Sequence, residues 1–256
     1  MFIPLSDDNS DRQITPYVNY VFIAINILVF IFLQSMGHNI LFTYAYSTVP
    51  AEIISGTDII TQPQLYIQGN EQFEVPGLQA TPIPVYLTTI TSMFMHGGWA
   101  HLAGNMLYLW IFGDNIENRL GHARYIIFYL LCGVIASLSH VFVTALLSKD
   151  TMIPSLGASG AISAVLGAYI LLFPTRRVNM FVLRGILPVP AYIALGIWIV
   201  FQAISSLGML GGSDSGGVAY AAHIGGFIAG LILIKIFDRG ATNNSTNEFL
   251  KRRKLM

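Results

Sequence analysis

Six stretches of the chain, 17–35, 100–117, 123–147, 157–173, 190–208 and 217–236, are predominantly apolar. A helix needs about 20 mostly apolar residues to cross a bilayer, so each stretch is a candidate span. The residues between them settle how the runs are threaded. Arg12, Arg119, Arg124, Arg176, Arg177, Arg184, Lys235, Arg239, Lys251, Arg252, Arg253 and Lys254 fall on one side if all six runs cross, and only Lys149 falls on the other. Basic residues concentrate on the cytoplasmic side of a membrane, and an odd number of spans would scatter these. The expectation is an all-α polytopic membrane protein with six transmembrane helices and both termini cytoplasmic. Composition points the same way: 10% of residues are charged, against about 25% in soluble domains. Thirteen basic and thirteen acidic residues cancel, so net charge suggests no nucleic-acid partner. The lone Cys132 lies in an apolar run and reads as a small buried residue.

Three parts follow: a cytoplasmic N-terminal segment at 1–16, a membrane domain at 17–237 and a basic cytoplasmic tail at 238–256. Asp7, Asp8 and Asp11 against a single Arg12 do not make the basic start of a signal peptide, so the first run is expected to be a retained span. With no transit peptide recognised, a bacterial inner membrane is the expected location. The loop from 36 to 99 is long, lacks Lys and Arg, carries Glu52, Asp58, Glu71 and Glu74, and is broken by Pro63, Pro76, Pro82 and Pro84. Loops of this length are functional or disordered; the sequence leaves the role of this one open, capping a site and recruiting a substrate being the two alternatives. No internal repeat is visible, which weighs against inverted-repeat transporters.

Threading the six runs puts a set of polar residues at one depth. His101 and Asn105 fall near the outer end of span two, Ser159 at the outer end of span four, and His223 about 9 Å below the outer surface in span six. Ionisable residues inside a membrane default to a functional hypothesis. A serine hydroxyl becomes a nucleophile when a base takes its proton, and His223 is the candidate base. The tetrahedral intermediate of acyl transfer needs hydrogen-bond donors. His101 and Asn105, four apart, share one helical face. Backbone N–H groups of Gly157 and Ala158, at the start of span four, complete the expected oxyanion hole. Gly160, Ala164 and Gly167 on span four, with Gly226 and Gly230 on span six, leave shallow faces that let membrane helices approach closely. Close approach is what would bring Ser159 within reach of His223. His96 is expected to shape the outer loop through a structural hydrogen bond.

These residues resemble the rhomboid intramembrane serine proteases over about residues 17 to 237. "HGGWAHLAGN" (96–105) is similar to the family's second-helix motif, which implies His101 and Asn105 as oxyanion stabilisers. "GDNIENRLG" (113–121) resembles the turn that follows, with Glu117 and Arg119 as structural anchors. "GASG" (157–160) matches the nucleophile motif and "AHIGGFIAG" (222–230) the last-helix pattern, implying Ser159 and His223. The resemblance implies a rhomboid-like six-helix bundle, a Ser–His dyad with no acidic third member, and lateral substrate entry near spans two and five. It also implies an aromatic residue four positions after the nucleophile, where this chain has Ser163, and a Trp-Arg pair in the first outer loop, which this chain lacks.

The expected activity is an intramembrane serine endopeptidase that cleaves transmembrane segments of protein substrates near their outer ends, with lipid as its surroundings and no cofactor. The competing reading is a catalytically inactive relative that binds membrane clients; such relatives typically lose the serine or histidine, and both are present. Basic residues confined to one side and uncharged span centres disfavour an ion path. A zinc protease would carry H-E-x-x-H, which is absent, and His96, His101 and His223 have no acidic or thiolate partner nearby for a metal. The sequence leaves substrate and oligomeric state open.

Overall fold

The computed structural model describes residues 2–68, 71–147, 151–182, 185–210 and 220–239. Arg184, Lys149 and nearly all of the 238–256 tail lie outside these. The chain is predominantly helical. Strand β1 (Phe2–Asp7) leads into helix α1 (Tyr17–Leu28), which continues as a π-helical turn over Val29–Leu33. The outer loop holds α2 (Ile40–Tyr46), α3 (Pro50–Ser55), the hairpin β2 (Gln64–Gln68) and β3 (Glu71–Val75), and the short α4 (Thr88–Thr91). The second apolar run is α5 (Trp99–Tyr108), a π-helical turn over Leu109–Gly113 and α6 (Asp114–Leu120). Then come α7 (His122–Leu146), α8 (Ser159–Leu172), strands β4 (Arg177–Val182) and β5 (Gly185–Pro190), α9 (Ala191–Leu210) and α10 (Tyr220–Asp238). Among the described residues two helices, α7 and α10, are long and apolar enough by themselves to cross a membrane, and shorter apolar helices cover Tyr17–Leu33, Val85–Phe94, Ser159–Leu172 and Ala191–Ile204.

Helix α8 sits at the centre. Every residue from Gly160 to Tyr169 is buried, as a helix apolar on all sides must be. Its most extensive neighbour is α10, followed by α7. Large apolar side chains instead face outward on the other helices, among them Val21, Phe32, Trp110, Ile127, Phe142, Val200, Phe201 and Ile232. A lipid-facing helix must match the bilayer thickness, whereas one enclosed by protein is free of that requirement. This is why α8, at 14 residues, falls short of a full span.

The α8–α10 contact is made backbone to backbone. A Cβ on Gly226 would stand 2.1 Å from the carbonyl oxygen of Gly160, one on Gly230 would stand 2.0 Å from that of Ala164, and one on Gly167 would stand 2.3 Å from that of Phe227. Only hydrogen fits at these three positions. On its other side Gly160 meets Ala136 of α7, whose methyl group would lie 2.7 Å from an added Cβ.

The second run does not form one regular helix. At the π-helical turn, the Asn19 side-chain amide donates to the Leu109 carbonyl at 2.9 Å. A π-turn changes the i→i−4 ladder and frees such groups. Asn19 Oδ1 in turn accepts from Tyr125 Oη at 2.8 Å. The start of α1 has no cap of its own; Glu117 supplies one, accepting from the backbone N–H of Val18 at 3.0 Å and of Asn19 at 2.7 Å. An anion at a helix N-terminus also meets the favourable end of its dipole. His122 lies 2.5 Å from the same carboxylate, and Arg119 makes a bidentate pair with Asp238 at 2.6 and 3.0 Å. These contacts hold the inner ends of α1, α6 and α10 together.

The inner face also carries structure that helical periodicity does not announce. β1 pairs antiparallel with β4, and β4 with β5. The N-terminal segment is therefore a sheet strand, not a free lead. Behind it, Asp7 accepts from Tyr169 Oη at 2.6 Å and from Asn115 Nδ2 at 2.8 Å. Arg12 pairs with Asp114, and Arg176 with Asp11 and Asn115. The outer loop is equally tied down. Thr48 and Ser155 exchange backbone hydrogen bonds at 3.0 and 2.8 Å, and Ala51 N–H reaches Thr151 O at 2.9 Å.

Two outcomes follow. Gly230→Ala forces the helices apart and should cost about 1–3 kcal/mol or more, read as a lowered unfolding temperature in detergent. Gly196→Ala, whose Cβ would meet nothing within 4 Å, should not lower it. Burial raises the Asp7 carboxyl from 3.8 to about 7, with Asp114 adding to the rise and Tyr169, Arg176 and Arg12 opposing it. The folded chain therefore retains a proton that the unfolded chain releases above pH ~4. The Asp7 contribution to stability should fall as pH rises from about 4 through about 7 and then level off. Asp7→Asn should remove that fall, as thermal unfolding between pH 4 and 8 would show.

Candidate active site

α5, α8 and α10 all begin at the face opposite the Arg119–Asp238 pair, and each brings a polar side chain from its first turns. Ser159 is the first residue of α8, preceded by Gly157 with φ +129°. That left-handed backbone suits glycine and swings the chain into the helix. His223 lies one turn into α10. Ser159 Oγ stands 2.7 Å from His223 Nε2, and His223 Nδ1 stands 2.8 Å from Gln202 Oε1 on α9. Both Ser159 and His223 are half-buried, so the hydroxyl is held without being sealed off.

His101 approaches from α5. The Gly97 N–H donates to His101 Nδ1 at 3.3 Å, so in the neutral ring the proton sits on Nε2. The space that a Gly157 side chain would fill is 3.0 Å from His101 Nε2 and 3.6 Å from Ser159 Oγ. A small oxygen at that point would touch a nucleophile on one side and an N–H donor on the other. Asn105, one turn further along α5, is buried, and its Nδ2 has no partner among the described residues. A buried amide without a partner is costly, so the Asn105 side chain is a donor waiting for an acceptor.

Three expected roles shift. Gly157 was expected to offer its N–H, but that group donates to Ser92 O at 2.9 Å; Gly157 instead leaves space and carries the turn. Ala158 is buried next to the first turn of α8, whose N–H groups have no intrahelical acceptor. The His96 ring makes no hydrogen bond among the described residues. It packs edge-on against His101 with centroids 5.1 Å apart. The backbone of His96 does the anchoring, exchanging bonds of 2.9 and 3.0 Å with the buried Gln34. At the position where an aromatic was implied, Ser163 bonds back to Ser159 O at 2.6 Å. Aromatic rings reach the imidazole from elsewhere: Trp198 of α9 at 6.1 Å and Tyr220 at 6.5 Å between centroids.

Sequence reasoning missed Gln202, because with no acidic third member expected the base was left to packing alone and a neutral amide in an apolar run did not register. It also missed Gln34, which ties the end of the first apolar run to His96 in the loop, and Ser92, which ties the loop to Gly157. Among the described residues, no group of three or more His, Cys, Asp or Glu could hold a metal ion.

A family model for the Rhomboid domain matches residues 85–239, more than half of the chain. The chain is a member of the rhomboid family. The match takes in α5 through α10, and with them Ser159, His223, His101 and Asn105. Yeast Rhomboid protein 1, mitochondrial, from Saccharomyces cerevisiae, is 34% identical over 60% of this chain and 43% of its own length. Mouse Presenilin-associated rhomboid-like protein, mitochondrial, is 32% identical over 62% and 43%. Rhomboid protease GluP of Bacillus subtilis is 36% identical over 55% and 24%. The chain thus spans less than half the length of these relatives. The mitochondrial names of the yeast and mouse proteins overturn the expected location in a bacterial inner membrane.

Gly157→Ala should strain the turn, whose φ is +129°, and push its Cβ against the His101 ring, 2.9 Å away, in the space beside Ser159. Reaction of Ser159 with a fluorophosphonate should slow by about 10²-fold, as displacement of about 1 Å does elsewhere.

Proposed function

We propose that this rhomboid is an intramembrane serine endopeptidase, with Ser159 as nucleophile and His223 as general base. The observation that carries the reading is the 2.7 Å contact between Ser159 Oγ and His223 Nε2, inside the range for an activated nucleophile. Ser159 Oγ forms a bond to the scissile carbonyl carbon as its proton passes to His223 Nε2. Negative charge then develops on the carbonyl oxygen, which takes the space beside Gly157. His101 Nε2–H and Asn105 Nδ2–H donate to it, joined by first-turn N–H groups of α8. The C–N bond breaks as His223 returns the proton to the leaving amine. Water entering from the outer face attacks the ester, gives a proton to His223, and releases the acid as the proton returns to Ser159.

The substrate we infer is a transmembrane segment cut near its outer end, where the site lies. A helical amide is hydrogen-bonded and covered, so the segment must unwind locally before attack. We read the apolar runs as six spans of one domain over 17–237, with 1–16 and 238–256 on the inner side. The names of the yeast and mouse relatives direct the location to mitochondria.

The test uses the purified chain in detergent, a fluorescent fluorophosphonate and a labelled transmembrane-segment substrate. Wild type should label and cleave; Ser159→Ala and His223→Ala should do neither. Asn105→Ala should still label but lose about 10²–10³-fold in kcat. A folded wild type that reacts with neither reagent overturns the reading and favours a client-binding role. Labelling that survives Ser159→Ala overturns the nucleophile.

A further inference from the structure

We propose that Gln202 is a positioning residue that fixes the tautomer and orientation of His223, making a Ser–His–Gln relay in place of a two-residue dyad. The inference rests on the reading of Ser159 and His223 as nucleophile and base. The geometry is specific. The imidazole has two nitrogens, and each meets one partner: Nε2 faces Ser159 Oγ at 2.7 Å and Nδ1 faces Gln202 Oε1 at 2.8 Å. An amide oxygen only accepts, so with Oε1 turned to the ring Nδ1 carries the ring proton. In a neutral ring that leaves Nε2 bare, the form required to take the serine proton. The other tautomer would put a proton on Nε2 and leave no base.

The three residues come from three helices: α8 gives Ser159, α9 gives Gln202 and α10 gives His223. Helix α9 also brings Trp198 to within 6.1 Å of the same ring. One helix therefore supplies both the aromatic neighbour and the hydrogen bond that orient the base. In soluble serine proteases an aspartate performs the orienting role, and losing it costs about 10⁴-fold because the wrong tautomer forms. A carboxylate in that place would be expensive inside a bilayer. The neutral amide gives the same direction to the ring without a buried charge. Because it supplies no countercharge to the imidazolium, its loss should cost less, about 10–100-fold.

The experiment compares wild type, Gln202→Met and Gln202→Glu in the full chain. Met conserves size and removes the acceptor; Glu conserves both. The ¹⁵N shifts of labelled histidine, with the His223 signal assigned by its loss in His223→Ala, report the tautomer without any turnover. Wild type should show His223 protonated at Nδ1. Gln202→Met should move population to the Nε2–H form and lower kcat about 10–100-fold with KM unchanged. Gln202→Glu, which keeps an acceptor at the cost of a buried carboxyl, should hold more of the Nδ1–H form and a higher kcat than Gln202→Met. Should Gln202→Met fail to fold, Gln202→Asn, one methylene too short to reach the ring, reads the same tautomer. The proposal is overturned if wild-type His223 carries its proton on Nε2, if tautomer and kcat are unchanged in Gln202→Met, or if Gln202→Glu loses as much as Gln202→Met. A wild type with the Nδ1–H tautomer that neither labels nor cleaves supports the pairing and strikes the protease reading instead.

Discussion

The contact on which the rest depends is the backbone apposition of α8 and α10. In a bilayer, apolar side chains gain nothing by meeting each other instead of lipid, so helices associate through close packing. Gly226 and Gly230 stand directly against the Gly160 and Ala164 carbonyls, closer than any side chain allows. That distance fixes how far the first residue of one helix lies from the first turn of the other. Ser159 and His223 are near these starting points, so the 2.7 Å between them is a consequence of glycines placed one and two turns deeper. The small-residue stripe and the reactive pair are one device.

Around this pair the molecule divides its labour by face. Polar networks secure the inner face: Glu117 caps α1, Arg119 clasps Asp238, and the β1–β4–β5 sheet rests near Asp7 and Tyr169. None of these groups faces the site, and their role is to fix the helix ends. The opposite face carries Ser159, His223, His101 and Asn105. There the loop at 36–99 is tied through Thr48 to Ser155, through Ala51 to Thr151 and through Ser92 to Gly157, and Gln34 at the end of the first apolar run holds the His96 backbone. A loop attached this way can position the turn before the nucleophile while leaving the serine half open to water.

The neutrality of the site fits its surroundings. A charged third member would carry a desolvation cost at this depth, and the protein instead uses an amide at 2.8 Å from His223 Nδ1 and a backbone N–H on His101. Ser163 illustrates the same economy of parts. Its hydroxyl turns back onto the Ser159 carbonyl, so the helix absorbs the polar group and the ring support comes from Trp198 on another helix.

Much of this was legible before any coordinates. Apolar runs marked most of the helices, and threading them as six spans would set His101, Asn105, Ser159 and His223 at a common level, because the rise per residue of a helix is constant. Glycine spacing on two runs named the helices that must touch, since only small residues permit it. Other features were not legible. The strand at Phe2–Asp7 pairs with residues more than 170 positions away, and no local pattern specifies such a partner. The π-helical turn at Leu109–Gly113 exists because Asn19, from another helix, takes up the Leu109 carbonyl. Gln202 resembles any polar residue in an apolar run until α9 is set beside α10. The sequence by itself determined which residue types lie at which depth, because depth follows from one-dimensional order and helix rise. The rotation of each helix about its axis follows from contacts with its neighbours, and that rotation decided which nitrogen of His223 meets Ser159 and which meets Gln202.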